Sequence, residues 1–202
     1  SYIYAEAFLD EKLQSFSAGT VHALRFYDGI PKYLVPDNLK AAVTKHTKDE
    51  LILQSAYSDL EDFYDTIVLP PPPRKPKGKP TVENHVRYLE THLVEKLKEN
   101  IYTSLEELNA DIQKIVATLN SRKFQNKNYS RADAFVKYDK PCMKPLPGGC
   151  FTVCDYKTVT RIPDNYHIEY DDHYYSVVYT HCGKPAIIKA TASEIRICDG
   201  YN

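Results

Sequence analysis

Apolar positions along this chain follow two different periods, and the change between them falls near Pro141. Upstream, Leu13, Phe16, Val21, Leu24 and Tyr27 recur at close to helical spacing, the signature of a helix with one buried face. Asp10 stands where a cap belongs, Gly19 lies inside the helix, and Asp28-Gly29-Ile30-Pro31 ends it. Before this helix, residues 1–8 (SYIYAEAF) are rich in tyrosine and apolar side chains and predict a strand. After it, residues 32–35 predict a short strand that stops at Pro36-Asp37-Asn38. Residues 51–64 predict a second helix and 66–69 a brief apolar strand. Strand and helix in alternation predict an α/β layered fold.

Residues 70–80 (PPPPRKPKGKP) are the sharpest break in composition, since consecutive prolines favour an extended backbone. Pro80 suits the first turn of a helix, which continues with Val82, Val86, Leu89, Leu93 and Leu97 on one face. Ser104 and Glu107 have the spacing of a capping box and open a helix carrying Leu105, Leu108, Ile112, Ile115 and Leu119. A shorter helix is predicted at 131–136. Beyond Pro141 come short β-type runs at 153–162, 167–170, 174–179, 186–190 and 194–198. Turn signals such as Pro163-Asp164-Asn165, Asp171-Asp172 and Cys182-Gly183-Lys184 separate them, which predicts a small barrel or sandwich.

Composition adds limits. The 202 residues, 43% hydrophobic and 26% charged, are enough for a buried core and argue against wholesale disorder. A net charge of −1 exerts no global pull on nucleic acid, so any such contact must rest on a local patch. No apolar run approaches the roughly 20 residues of a membrane span. Cys142, Cys150, Cys154, Cys182 and Cys198 include no C-x-x-C pair, and their odd number favours free thiols in a reducing compartment. Met143 is the single methionine, so the natural sequence is expected to extend upstream of Ser1.

The chemistry-bearing positions cluster around the proline-rich segment. Asp37 follows a short strand, and Glu83 falls in the first turns of a helix. Carboxylates at such ends are suited to divalent cations, which prefer oxygen ligands on a rigid scaffold. Arg74, Lys75, Lys77 and Lys79 lie just before Glu83 and can neutralise phosphates, and Arg87 lies one turn after it. Each has a plainer reading. Pro-Asp-Asn is a common turn, an acid in a first turn suits the helix dipole, and a run of lysines can be a solvated linker.

Val35-Pro36-Asp37-Asn38-Leu39-Lys40 and the segment running from Pro73-Arg74-Lys75 through Lys79-Pro80-Thr81-Val82-Glu83 resemble the IstA type of insertion-sequence transposase. That group is a DDE family of the retroviral-integrase superfamily with a ribonuclease-H-like core. The early Tyr-x-x-Ala-x-x-Phe run, Ser130-Arg131-Ala132-x-Ala134-Phe135 and the Tyr174-Tyr175-Ser176-Val177 region extend the similarity over nearly the whole chain. The resemblance implies that Asp37 is the second catalytic aspartate and Glu83 the catalytic glutamate. The first aspartate would lie upstream of residues 1–8, so this chain is expected to be inactive by itself.

The implied layout is a partial catalytic core at 1–100, a helical extension and linker at 101–140, and a small β-barrel at 141–202. The implied cofactor is Mg2+ or Mn2+, bound weakly by Asp37 and Glu83. The implied partners are transposon-end and target DNA, further copies of the chain and an ATPase helper, in a bacterial cytoplasmic, nucleoid-associated setting without membrane. Arg74, Lys75, Lys77, Lys79 and Arg87 are the expected DNA contacts; the alternative reading is a non-catalytic DNA-binding or assembly module whose basic loop and terminal barrel contact DNA or other subunits.

Overall fold

A computed structural model of the chain describes residues 2–36, 48–69 and 80–199, with backbone alone for 48–51, 54, 80–85 and 199. In chain order its elements are α1 (Leu13–Tyr27), β1 (Tyr33–Leu34), α2 (Lys48–Tyr64), β2 (Ile67–Val68), α3 (Pro80–Leu97), α4 (Leu105–Ser121) and α5 (Arg131–Ala134), then β3 (Asp155–Val159), β4 (His167–Tyr170), β5 (His173–Ser176), β6 (Ala186–Ala190) and β7 (Ile195–Asp199). Helix and strand are mixed, as the patterning predicts. Residues 1–35 and 69–146 form one compact unit, and 36–68 and 147–202 form another.

In the first unit, residues 2–8 do not join a strand ladder as expected; side-chain amides from α4 bind their peptide groups instead. Asn120 accepts from the Ile3 N–H at 2.9 Å and donates to the Ile3 carbonyl at 2.7 Å. Asn109 treats Ala7 in the same way, at 2.7 and 3.1 Å, and Gln113 donates to the Ala5 carbonyl at 2.8 Å. Residues 3, 5 and 7 can all face one helix because alternate peptide groups of an extended chain point to one side. Positions 109, 113 and 120 are four and seven apart, so they share a face of α4.

The opposite side of the segment faces α1. The Tyr2 and Phe26 rings stack at 5.3 Å, and a Cβ at Gly19 would meet the Phe8 ring at 3.1 Å. Gly19 therefore admits the segment, at the cost of helix propensity. Helix α1 begins later than predicted. Lys12 is its N-cap residue without a side-chain cap bond, while Asp10 accepts from the Lys12 N–H and the Ser15 hydroxyl. Its end matches the break signal, with Asp28 rather than Gly29 taking the left-handed conformation (φ 50). Gly29 is needed for proximity, since a Cβ there would lie 3.0 Å from the Met143 Cβ. Next to it, Ile30 and Lys144 exchange two backbone hydrogen bonds of 2.9 Å.

Val21, Leu24 and Ile30 are buried in this unit together with Ile112, Ile115, Val116 and Leu119 of α4. Helix α4 opens on Ser104, which accepts from the Glu107 N–H. The Glu107 carboxylate reaches back to the N–H and hydroxyl of Thr103, bonds that hold its pKa below the usual value. The predicted helix at 131–136 is α5 from Arg131 to Ala134, extended by a π-helical turn, Phe135–Asp139, and a 3-10 turn, Lys140–Cys142.

In the second unit, β3, β6 and β7 form an antiparallel sheet in the order β3-β6-β7, and β4 pairs with β5. The predicted runs land close to these strands, but the described strands do not close into the expected barrel. Asp171 and Asp172, both at positive φ (51 and 58), make the two-residue β4–β5 turn in the sense that matches strand twist. Ile188, Ala186 and Ala190 of β6 pack with Ile162 and Ile168 in a buried cluster flanked by Val159, Ile195 and Ile197. Each fully buried isoleucine contributes about 1.5–3 kcal/mol of transfer free energy.

Across the other face of this sheet, Tyr156, Lys189 and Arg196 sit in register. Tyr156 and Lys189 converge on Asp59 of α2: the hydroxyl donates to Oδ2 and the ammonium to Oδ1, each at 2.6 Å. Burial and this bond to a carboxylate push the Tyr156 phenol far above its ordinary range.

Two outcomes follow. Asn120→Ala leaves the Ile3 N–H and C=O without their partners in a half-buried site and is expected to cost roughly 1–3 kcal/mol in urea unfolding. A cost below about 0.5 kcal/mol would remove the amide ladder as a stabilising element. For Tyr156, the raised folded pKa contributes stability that is complete below the unfolded phenol value of about 10 and is lost as pH rises toward the folded value. Stability above pH ~10 should therefore fall more steeply for the wild type than for Tyr156→Phe, by up to one proton. Parallel slopes in pH-dependent denaturation would contradict the Tyr156–Asp59 bond.

Candidate functional site

Pro80, whose missing N–H is harmless in a first turn, opens α3, and Glu83 stands three residues later. The backbone of Glu83 is therefore fixed at the N-terminal end of an 18-residue helix. Arg87 follows one turn on and is exposed to solvent. Asp37, Arg74, Lys75, Lys77 and Lys79 lie outside the described residues. The Leu69 N–H donates to the Leu34 carbonyl at 2.8 Å. That bond joins the segment leading into Asp37 to the one leading toward Glu83.

Helix α3 is held by a cation between two rings. The Arg131 guanidinium lies 5.3 Å from the Tyr88 ring centroid and 5.1 Å from that of Phe124. Arg131 is only 8% exposed, and its Nη1 donates to the Leu119 carbonyl at the end of α4 while Nε has no hydrogen-bond partner. Burying a guanidinium with so few hydrogen bonds is costly, and the two aromatic faces offset part of that cost. The contact links α3 through Tyr88, α4 through Leu119 and α5 through Arg131 itself. On α3 the His92 ring lies 4.1 Å from that of Tyr88, with Nδ1 2.8 Å from the Tyr88 carbonyl oxygen.

Ser130 and Asp133 complete the start of α5 as a reciprocal capping box. The Asp133 pKa is lowered chiefly by the Ser130 N–H.

Pattern reading assigns Arg131 no role beyond the Ser-Arg-Ala run. The available signal is electrostatic: a cation in a first turn opposes the helix dipole, so its presence there calls for another partner. A second polar cluster joins Tyr4, Glu6 and His22. Glu6 accepts from the Tyr4 hydroxyl at 2.7 Å, and His22 Nδ1 lies 2.9 Å from the same carboxylate oxygen. Among the described residues, no group of three or more His, Cys, Asp or Glu side chains is arranged to hold a metal ion. Among them, no helix is long and apolar enough to cross a membrane.

Comparison with known proteins follows the same outline. Residues 146–202 match the family of Mu transposase C-terminal domains. A Sinorhizobium fredii protein named as a transposase is 33% identical over 194 residues, 96% of this chain and 37% of that protein. A protein of Burkholderia multivorans, named as a transposase for insertion sequence IS408, is 31% identical over 99% of this chain and 38% of its own length. The transposase of insertion sequence element IS21 from Pseudomonas aeruginosa is 25% identical over 88% of this chain and 45% of its own. The homologues of this chain are named as transposases, several of them of insertion sequences. The chain spans little more than a third of the length of the first two transposases it matches.

A double-mutant cycle tests how α3 is held in this chain. Arg131→Met and Tyr88→Leu should couple by about 0.5–2 kcal/mol in urea unfolding. Arg131→Lys should not restore full stability, because an ammonium lacks the planar face that stacks between rings. Additive effects, with coupling near zero, would show that Tyr88 and Arg131 act separately.

Proposed function

We propose that this chain is part of a DNA transposase of the DDE type, contributing Asp37 and Glu83 as catalytic, metal-binding carboxylates. The similarity to transposases over almost all of the chain carries this reading, and the first-turn position of Glu83 on α3 supports it. In this reading residues 1–100 belong to a ribonuclease-H-like integrase core, 101–140 form a helical extension, and 141–202 act as a small β domain of barrel type.

The donor set fits Mg2+ or Mn2+, since both residues offer hard carboxylate oxygens, and the backbone of Glu83 stands in the first turn of α3. When bound, such cations stabilise charge on the attacking and departing phosphate oxygens. The chain's own groups then have separate tasks. Asp37 and Glu83 supply anionic oxygen ligands. Arg74, Lys75, Lys77 and Lys79 neutralise the DNA backbone beside them, and Arg87 adds a cation one turn beyond Glu83. Transposon ends and target DNA are the substrates, and assembly with further copies and an ATPase helper completes the scheme.

Two measurements on the 202-residue chain test it. In fluorescence anisotropy, duplex DNA should bind weakly and without sequence preference, and binding should weaken markedly between about 50 and 200 mM salt. Replacing Lys75, Lys77 and Lys79 with alanine should flatten the salt slope by roughly one per lost phosphate contact. In Mn2+ titrations followed by electron paramagnetic resonance, the wild type should deplete the free-ion signal, and Asp37→Asn with Glu83→Gln should restore it. Unchanged Mn2+ binding in that double variant would sink the carboxylate assignment. DNA binding that survives the lysine changes would sink the basic segment.

A further inference from the structure

A cavity of about 430 Å³ in the first unit is walled by Tyr2, Tyr27, Phe135 and Tyr138, with Lys32 and Asp139 also lining it. We propose that it takes an unstacked nucleobase of a DNA strand, one carrying an exocyclic amine. The inference rests on the reading of the chain as DNA-acting.

The walls are flat and already ordered by mutual contact. The Tyr2 and Phe135 rings stack at 4.6 Å and 15°, and Tyr27 packs against both at 5.9 and 5.7 Å. Tyr2 is held between Phe26 and Phe135, so the exposed Tyr138 ring is the one on which a base can stack without sequence-specific hydrogen bonds. Tyr138 is 58% exposed, so its ring can be reached from solvent.

The backbone explains how three of these side chains meet. Phe135–Asp139 is a π-helical turn, closed by the Lys140 N–H donating to the Phe135 carbonyl. In that turn Phe135, Tyr138 and Asp139 are three and four residues apart and line one cavity. Isolated π turns are uncommon and recur at functional sites. Lys140 anchors the turn by donating to the carbonyls of Tyr27 and Asp28 and to the Asp28 carboxylate.

Charge selects the ligand class. Lys32 lines the cavity, and the Lys137 ammonium lies over the Tyr138 ring, 5.1 Å from its centroid. Aromatic walls beside two lysines match a base with its phosphates, since ring faces hold the base and ammonium groups attract the backbone. Asp139 is an acceptor without a donor of its own when ionised. A carboxylate at a base edge favours amino-bearing bases over thymine.

The test uses single-stranded oligonucleotides carrying one 2-aminopurine, with an abasic counterpart. The wild-type chain should quench 2-aminopurine on binding and hold the base-bearing strand roughly tenfold more tightly than the abasic one. Tyr138→Ala, at an exposed position that folding tolerates, should abolish that difference. Oligo(dC) should bind several-fold more tightly than oligo(dT), and Asp139→Asn should erase the preference.

Equal affinity for abasic and base-bearing strands would overturn the pocket. So would a Tyr138→Ala change that alters sedimentation of the free chain but not DNA binding, which would make this face a protein contact. Salt-sensitive duplex binding with no quenching would overturn the pocket and leave the transposase reading standing. Loss of both would overturn both.

Discussion

Three carboxamides on one face of a helix act on the amino-terminal segment as a neighbouring strand would. Asn120, Gln113 and Asn109 bind the peptide groups of Ile3, Ala5 and Ala7, and Asn120 is itself buried. A half-buried extended segment needs partners for the N–H and C=O groups that water does not reach, because each one left unmade there costs about 1–3 kcal/mol. The ladder meets that need and sets the register at the same time. A slip by one residue would turn the wrong peptide groups toward α4 and carry Tyr2 and Phe8 away from α1. The stack of Tyr2 on Phe135, and with it the aromatic cavity, depends on that register.

The same economy holds farther along the chain, where single polar groups fix whole elements. Arg131 joins three helices through two rings and one carbonyl. Asp59 joins α2 to two strands through one carboxylate. Neither contact is a broad apolar surface, so each depends on geometry more than on area. Loss of Asp59 leaves the Lys189 ammonium and the Tyr156 hydroxyl without their partner in a site that is largely shielded from water.

Much of this was legible in the sequence because it follows from periodicity. Helices α1, α3 and α4, the turn at Asp171-Asp172 and the strands β3 to β7 lie near their predicted places, since one face of each is apolar and their ends carry turn or cap residues. Residues 2–8 misled for a physical reason. Alternation and tyrosine content report an extended backbone, but they cannot report whether the partner is a strand or a row of amides. The signal was present in α4, where Asn109, Gln113 and Asn120 interrupt an apolar helix on a single face; it becomes meaningful only once the segment they bind is known. Barrel closure was equally beyond reach. Short strands with turns predict a β unit, whereas closure depends on shear and pairing between strands distant in sequence.

The candidate site divides along the same line. A carboxylate in the first turn of a helix can be read from Pro80 and Glu83, because both preferences are local. What keeps that helix in place cannot, because Tyr88, Phe124 and Arg131 are far apart in the chain and unremarkable one by one. A buried guanidinium between rings is rigid in a way that a hydrated lysine is not, since its planar face limits how either ring can move. Phosphoryl transfer rewards that rigidity: small displacements of a metal-holding group cost large factors in rate. If Glu83 holds a metal as proposed, changes at Arg131 and Tyr88 would then act through its positioning as much as through stability.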